Sequence, residues 1–566
     1  MKTSPKLALI LKSETAMRGV QLVAGAVAIS LIFWRLQFST DAICCGDFDG
    51  YYHIKWSRML WEGLRSGNFP PLFTWLPLTT LNPRDYVDHH FLFHIFQIPF
   101  TFGDMRLGAK ISAIIFGSLA LITCYWFLIH YRIRYTLVWL VALLACSSPF
   151  LYRLNMVKAP PLAIIYLVAG IYFLFKKKYW PLIPLAFLFT LTYDMFVLLI
   201  LAALIWIVVM SWTERRFEWR PIVWVLLGTA AGFIINPYFP HNLQLFYEHL
   251  SIKLAPSEFS TKVGQEWYPY DSWEFLGNSL VACIAMVVGY VAFDPSDRKR
   301  AHYSLFFLIF STALMIMTAR WKRIAEYWPP FAVMFSAFAL QTWLLGARSA
   351  FTRLPQDVLD ELQPFLDRNE PEELTVEGQR LELYGTLGSA LIAVLLGVVL
   401  AFNLRATVRD IAHSEHHEYY KAGAEWIRTN VLPAQIVFNT DWDDFPRLFY
   451  YDPSHNYVSG LDPTYLFDKD PALSKLYDRI TLGEEEDPGP LIRDRFGARY
   501  IFSDNGHDKF FNNAIESGWF DIVYEDTECT ILHIRDQKGE PPPEEPEPSD
   551  SSQDSLPSEE PSTNEP

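Results

Sequence analysis

Apolar residues run in long blocks separated by short charged segments, a pattern that predicts membrane-crossing helices rather than water-exposed layers. The first block, 19–38, follows Lys2, Lys6, Lys12 and Arg18. It is longer than a signal-peptide core and lacks a small-residue cleavage site, so it reads as a retained anchor with a cytoplasmic N-terminus. Further blocks fall at 107–129, 134–151, 160–175, 179–193, 195–212, 220–238, 273–293, 302–319, 329–346 and 384–403. Each is long enough, or nearly so, to cross a ~30 Å hydrocarbon core, which gives about eleven spans.

Positive charge tests this register. Alternation from a cytoplasmic N-terminus puts Arg132 and Arg134, Lys176-Lys177-Lys178, Arg215-Arg216, Arg298-Lys299-Arg300 and the charged segment 347–383 inside, and everything after 404 outside. One loop runs against the rule: Arg320-Trp321-Lys322-Arg323 falls on the outer face, where a basic cluster needs a local reason.

Two outer segments are long. In 39–106 an amphipathic helix carries Tyr52, Trp56, Met59, Leu60 and Gly63 on one face and Lys55, Arg58 and Glu62 on the other. Such a helix is expected to lie in the membrane interface. Pro70, Pro71, Pro77 and Pro83 then break the chain, and 89–102 reads as a second, half-inserted helix. The other long outer segment is 239–272. From 404 the pattern turns soluble: a helix ending near Asn430, strands at 436–438, 499–503 and 521–534, and a helical turn at 509–517. The expected organisation is a membrane part over 1–403, an outward-facing α/β domain over 404–537 and a disordered Pro-, Glu- and Ser-rich tail over 538–566.

Composition agrees. Of 566 residues, 51% are hydrophobic, 19% charged and 16% aromatic, too few charges for several soluble domains. The net charge of −15 speaks against nucleic acid as a partner, and nine of the acids lie in residues 539–566. Cys124, Cys146 and Cys283 fall in apolar runs, and Cys44 and Cys45 are adjacent, a pair that bonds to itself only with strain. Walker A, dinucleotide, G-x-S-x-G and H-E-x-x-H motifs are missing from the sequence.

The remaining chemistry lies at the outer ends of the spans. Asp47 and Asp49 suit a divalent cation or a general base, or Asp49 caps the helix that follows. Asp88-His89-His90 with His94 brings acid and imidazole to helical spacing, as loop-orienting groups or, without a flanking ligand set, zinc ligands. Asp194 occupies a short turn between spans, as a functional acid or a turn former. Glu266 lies in Val263-Gly264-Gln265-Glu266-Trp267-Tyr268-Pro269, as a site acid or an exposed loop acid. Arg320, Lys322 and Arg323 suit a phosphate group or snorkelling toward anionic lipid.

Asp49-Gly50-Tyr51-Tyr52-His53 resembles the D-P-Y-Y-H-type motif in the first outer loop of oligosaccharyltransferase catalytic subunits, members of the GT-C superfamily of membrane glycosyltransferases. The later Arg320-Trp321-Lys322-Arg323-Ile324-Ala325-Glu326-Tyr327 resembles the setting of that family's donor-phosphate-binding Arg, with Arg323 the best match and Arg320 next. Asp441-Trp442-Asp443-Asp444-Phe445 is similar in position to the W-W-D-Y-G acceptor-reading segment, but Asp441 replaces the first Trp and Asp444-Phe445 replace Tyr-Gly. After the third span, Phe150 to Lys158 contain none of the family's additional acidic ligands; Arg153 or Lys158 offers a charge in their place.

The resemblance implies a polytopic α-helical membrane protein with a GT-C-like core and a C-terminal extracytoplasmic α/β domain. It implies sugar or oligosaccharide transfer from a polyprenyl-phosphate or diphosphate donor to a protein, lipid or glycan acceptor. Asp49, Asp47 and Glu266 would stand at the catalytic centre, with Asp49 and Glu266 on a divalent cation such as Mg or Mn. His53, Asp88, His89, Asp194, Arg320, Arg323, Trp442 and Asp443 would surround the substrates. The other readings are a GT-C enzyme acting on lipid or polysaccharide, a transporter, and an inactive scaffold. A transporter would place ionisable residues deep within spans, whereas here they gather at the outer ends.

Overall fold

Helices predominate among the described residues from Glu14 to Ala412, and a five-stranded sheet with helices follows, in a computed structural model that describes residues 14–43, 45, 48–254, 265–351 and 376–539. Asp47, the first basic residues and the acidic tail lie outside the described residues. Among the described residues, five helices are long and apolar enough to cross a membrane: Thr15–Gln37, Met105–His130, Asp194–Glu214, Ala301–Arg320 and Leu387–Ala412. Two bent pairs raise the number to seven, and the expected spans 160–175, 179–193 and 220–238 fall on shorter apolar helices. Length and composition among the described residues therefore support five to seven spans and do not confirm the expected count of about eleven.

The bends have local causes. Ser147 interrupts the apolar run 134–151: its hydroxyl accepts from the Phe150 backbone N–H at 3.3 Å, and Pro149 follows in the first turn of Ser148–Leu154. The chain turns by 83° there. A second bend, of 87°, separates Ser272–Asn278 from Leu280–Ala292, and Ser279 donates to the buried Ser147 hydroxyl at 3.1 Å. The two breaks are thus tied to each other. Elsewhere small residues draw helices together: a Cβ on Gly228 would come within 2.3 Å of the Ile183 carbonyl oxygen, and one on Gly232 within 2.7 Å of Thr190.

The sheet comprises β1 (Ile436–Asn439), β2 (Asn456–Tyr457), β3 (Ala498–Asp504), β4 (Phe520–Glu525) and β5 (Cys529–Ile534), in the order β2-β1-β3-β5-β4. β1 is parallel to β2 and β3, and β5 is antiparallel to β3 and β4. Strands and helix matched expectation at 436–438, 499–503 and 509–517, while 521–534 divides into two strands.

The amphipathic helix, Asp49–Ser66, corrects the interface expectation. It buries Tyr51, Ile54 and Ser57 as well as its apolar stripe, and Tyr52, Trp56 and Leu60 pack in one core with Phe445, Leu448, Phe449 and Tyr457 of the sheet region. Its apolar face therefore meets protein rather than lipid. Buried Arg447 holds the seam, with its guanidinium 4.2 Å from the Phe48 ring centroid and 4.9 Å from that of Tyr51. Cys45 is disulfide-bonded, whereas Cys124 and Cys146 are free and buried.

Candidate functional site

A cavity of about 370 Å³ opens where the helical part meets the sheet region. Asp49, His53, His89, Asp194, Glu266, Arg323, Trp442 and Asp443 all line it, although they are spread over almost 400 residues of sequence. Arg320 and Asp88 do not. Arg320 ends the helix Arg298–Arg320 exposed, and Asp88 is buried behind the wall, 1% exposed.

Several lining groups are delivered by helix starts and local breaks. Asp49 is the first residue of its helix, with Phe48 at the cap position, so its carboxylate sits near the positive end of the helix rather than capping it. The bend at Ser147 carries Tyr152 and Arg153 to the cavity. Asp194 opens a one-turn 3₁₀ segment, Asp194–Phe196, between two apolar helices, and Arg323 lies in another, Lys322–Glu326.

Charge on the helical wall is closely paired. Lys158 Nζ lies 2.8 Å from Asp49 Oδ2. Arg153 reaches Glu266 Oε2 at 2.6 Å and, through Nε, Glu326 Oε1 at 2.6 Å. Arg323 donates to Glu266 and, through Nη2, to the Tyr193 hydroxyl at 2.8 Å, and its guanidinium stands 5.1 Å from the Trp267 ring. Burial alone would raise the Glu266 carboxyl, but Arg323, Arg153 and Lys158 hold it well below the usual carboxylate range. The buried Nε of Arg323 has no hydrogen-bond partner among the described residues. Sequence reasoning left out Glu326, 1% exposed, and Tyr193; apart from a glutamate inside an Arg-rich segment, nothing local marks them.

The sheet wall is different. Trp442 and Asp443 reach the cavity from just beyond β1, and Asp441, Asp444 and Asp504 stand close behind. Desolvation first, and then Asp441, Asp504 and Asp49, push the Asp443 carboxyl up to about 7.

A divalent cation fits this arrangement poorly. Asp49 is taken by Lys158, and Glu266 by two guanidinium groups. Among the described residues there is no group of three His, Cys, Asp or Glu side chains able to hold a metal. The same holds for zinc at Asp88, His89, His90 and His94: Asp88 and His94 bond to each other in the interior.

No protein-family model and no curated protein matches the chain by sequence. Solved structures do match by shape. The oligosaccharyltransferase of Archaeoglobus fulgidus in the apo form superposes with a TM-score of 0.55 at 11% identity, covering 91% of this chain and 74% of that one. The same enzyme tethered to an acceptor peptide containing the NVT sequon gives 0.54 at 12% identity, covering 90% and 74%. ArnT from Cupriavidus metallidurans bound to undecaprenyl phosphate gives 0.51 at 13% identity, covering 90% of this chain and 97% of that one. Over about nine-tenths of its length, this chain has the fold of the GT-C membrane glycosyltransferases.

Proposed function

We propose that the chain is an integral-membrane glycosyltransferase that moves a sugar or oligosaccharide from a polyprenyl-phosphate or diphosphate donor to an acceptor on the extracytoplasmic face. One observation carries the reading: Asp49, Glu266 and Arg323 share a cavity with the cations Arg153 and Lys158. Residues 1–403 are the membrane glycosyltransferase part with a cytoplasmic N-terminus. Residues 404–537 are the extracytoplasmic α/β domain, and the acidic Pro- and Ser-rich segment 538–566 follows it in sequence.

The chemistry follows from charge. As the glycosidic bond breaks, negative charge gathers on the departing phosphate, and cations fixed in advance lower that barrier most when they need not move. Arg323 is held by Glu266 and Tyr193 and keeps Nε for a phosphate oxygen, with Arg153 and Lys158 adding positive field. Asp49, tethered by Lys158, orients the acceptor, with His89 and Asp194 lining the same cavity and Asp47, two residues before Asp49 in sequence, assigned to the same task. No metal step is assigned, since the charge a cation would supply is already present as Lys158 and Arg323. Trp442 and Asp443 contact the acceptor. Asp441 and Asp444-Phe445 in place of the peptide-reading residues favour a lipid or glycan acceptor over a peptide.

Purified protein in lipid nanodiscs, given polyprenyl-phosphate and polyprenyl-diphosphate sugars with lipid, glycan and peptide acceptors, tests this reading. Sugar transfer or release that falls at least 100-fold in Asp49→Asn and Arg323→Ala supports it. Wild-type protein that neither binds nor consumes any lipid-linked donor refutes it.

A further inference from the structure

Three buried side chains beside the cavity form a line that the account above leaves without a task. His53 stands one helical turn after Asp49 and lines the cavity. Its Nδ1 lies 2.7 Å from Nε2 of His94, and Nδ1 of His94 lies 2.7 Å from Oδ2 of Asp88. Asp88 is fixed in turn: Oδ2 accepts from Trp56 Nε1 at 3.0 Å, and Oδ1 from the His90 backbone N–H at 3.0 Å. His53, His94 and Asp88 are 3%, 0% and 1% exposed.

The order of the links fixes the protons. A carboxylate only accepts, so His94 carries its hydrogen on Nδ1. The lone pair of neutral His94 is then on Nε2 and accepts from His53 Nδ1–H. That leaves neutral His53 with its own lone pair on Nε2, which forms no hydrogen bond to the described residues. The chain of bonds therefore starts at a carboxylate in the interior and ends at a free imidazole lone pair at the cavity.

We propose that Asp88, His94 and His53 form a proton relay, and that His53 Nε2 takes the proton of the acceptor hydroxyl during sugar transfer. The step rests on the glycosyltransferase reading. The acceptor oxygen bonds to the anomeric carbon while the bond from that carbon to the donor phosphate breaks, and the phosphate leaves with the electron pair. The acceptor proton goes to His53 Nε2, His53 Nδ1–H passes to His94 Nε2, and the positive charge comes to rest on His94 against the Asp88 carboxylate. One negative charge appears on the phosphate and one positive charge on the relay, so the step balances.

The relay answers a difficulty that His53 alone would face. Facing it are Asp49 on its own helix, His89, His90 and His94 from the next segment, and Lys158 beyond. Burial and then His94, Lys158 and His89 hold its imidazole well below the ordinary histidine range, which makes it neutral but a weak base. Passing the proton inward puts the charge 2.7 Å from a carboxylate instead of leaving it among like charges. Asp49 is less suited to this task, because its carboxylate is already engaged by Lys158 at 2.8 Å. His53 is thus the catalytic residue, and Asp88 and His94 are positioning residues.

Two measurements on the full chain test the relay. Diethyl pyrocarbonate acylates an unprotonated imidazole nitrogen, and peptide mapping reads each histidine separately, with exposed His416 as the reference for reagent delivery. His53 should label at a rate that holds as pH falls through ~6.5, where a free histidine slows. No labelling at His53, or slowing near that pH, overturns the protonation order without any variant. In transfer from an undecaprenyl-phosphate-linked sugar, His53→Gln should lower kcat ~100-fold or more with donor KM unchanged. Asp88→Asn should lower kcat less and move the acid limb of the pH profile downward, because the carboxylate that favours the protonated relay is gone. Melting temperatures of both variants, with His94→Gln as a second interruption, separate relay loss from misfolding. Full kcat in His53→Gln, or an unmoved acid limb in Asp88→Asn and His94→Gln, overturns the proposal. Wild-type protein that labels as expected but transfers no sugar from phosphate or diphosphate donors instead overturns the enzyme reading and leaves the protonation order standing.

Discussion

On the helical wall of the cavity Arg153, Lys158 and Arg323 each meet a carboxylate, whereas at the sheet wall Asp443 crowds together with Asp441, Asp444 and Asp504, and His507 bonds to Asp504. Both walls are partly withdrawn from water, yet the consequences are opposite. On the first, opposite charges hold Glu266 ionised; on the second, burial and then like charges push Asp443 and Asp444 upward. The paired wall keeps a fixed charge pattern across the neutral range, as a binding site for a permanently anionic phosphate requires. The crowded wall changes charge near neutrality, where it would meet an uncharged or cationic acceptor group.

The largest effect should come from unpairing the first wall. Arg153→Met leaves Glu326 buried without its cation and Glu266 with one fewer, and a broken buried pair costs about 3–5 kcal/mol. Chemical denaturation in detergent should show the loss, and a change within 1 kcal/mol would mean that water screens the network. Glu266→Gln should cost less, about 1–3 kcal/mol, because Arg153 keeps Glu326 and Arg323 keeps Tyr193. It also carries a pH signature. A depressed folded-state carboxyl contributes stability above its unfolded pKa and loses it as pH falls toward the folded value. Wild type should therefore lose more stability than Glu266→Gln between pH 5 and ~2, measured by the same denaturation.

How far the sequence could disclose these walls depends on the range of the interactions. The helix at 49–66, the strand at 436–438 and the Arg-rich loop at 320–323 rest on local periodicity or local charge, and all were legible. Tertiary packing supplied the rest: periodicity marked an apolar face on Asp49–Ser66 but not that Phe445 and Phe449 would cover it. Arg153 and Glu326 are 173 positions apart and His53 and His94 are 41 apart, so no window along the chain contains either pair. Resemblance ranks Arg323 ahead of Arg320, but local charge does not separate them. Only the 3₁₀ turn at Lys322–Glu326 aims one inward and leaves the other outside the cavity.

Smaller effects sharpen the contrast. The Asp443 carboxyl is raised to about 7 in the folded chain, so its favourable contribution is complete below the unfolded value near 3.8 and is lost as pH rises through about 7. Its side chain still reaches solvent, so the slope should be shallow. Melting temperature should decline from pH 6 to 8 in wild type and decline less in Asp443→Asn; equal slopes would place the titration elsewhere. The smallest change should be Trp267→Leu, which removes the ring beside the Arg323 guanidinium and should weaken phosphate-lipid binding by about 0.5–1 kcal/mol in a titration.

The most direct test compares Arg323→Ala with Arg320→Ala for binding of undecaprenyl phosphate to the full chain in nanodiscs. Loss of a charge-assisted hydrogen bond and of the guanidinium charge should weaken binding at least tenfold in Arg323→Ala, while Arg320→Ala, outside the cavity, should bind like wild type. Equal affinity in all three proteins, or a loss confined to Arg320→Ala, would contradict the cavity as the donor phosphate site.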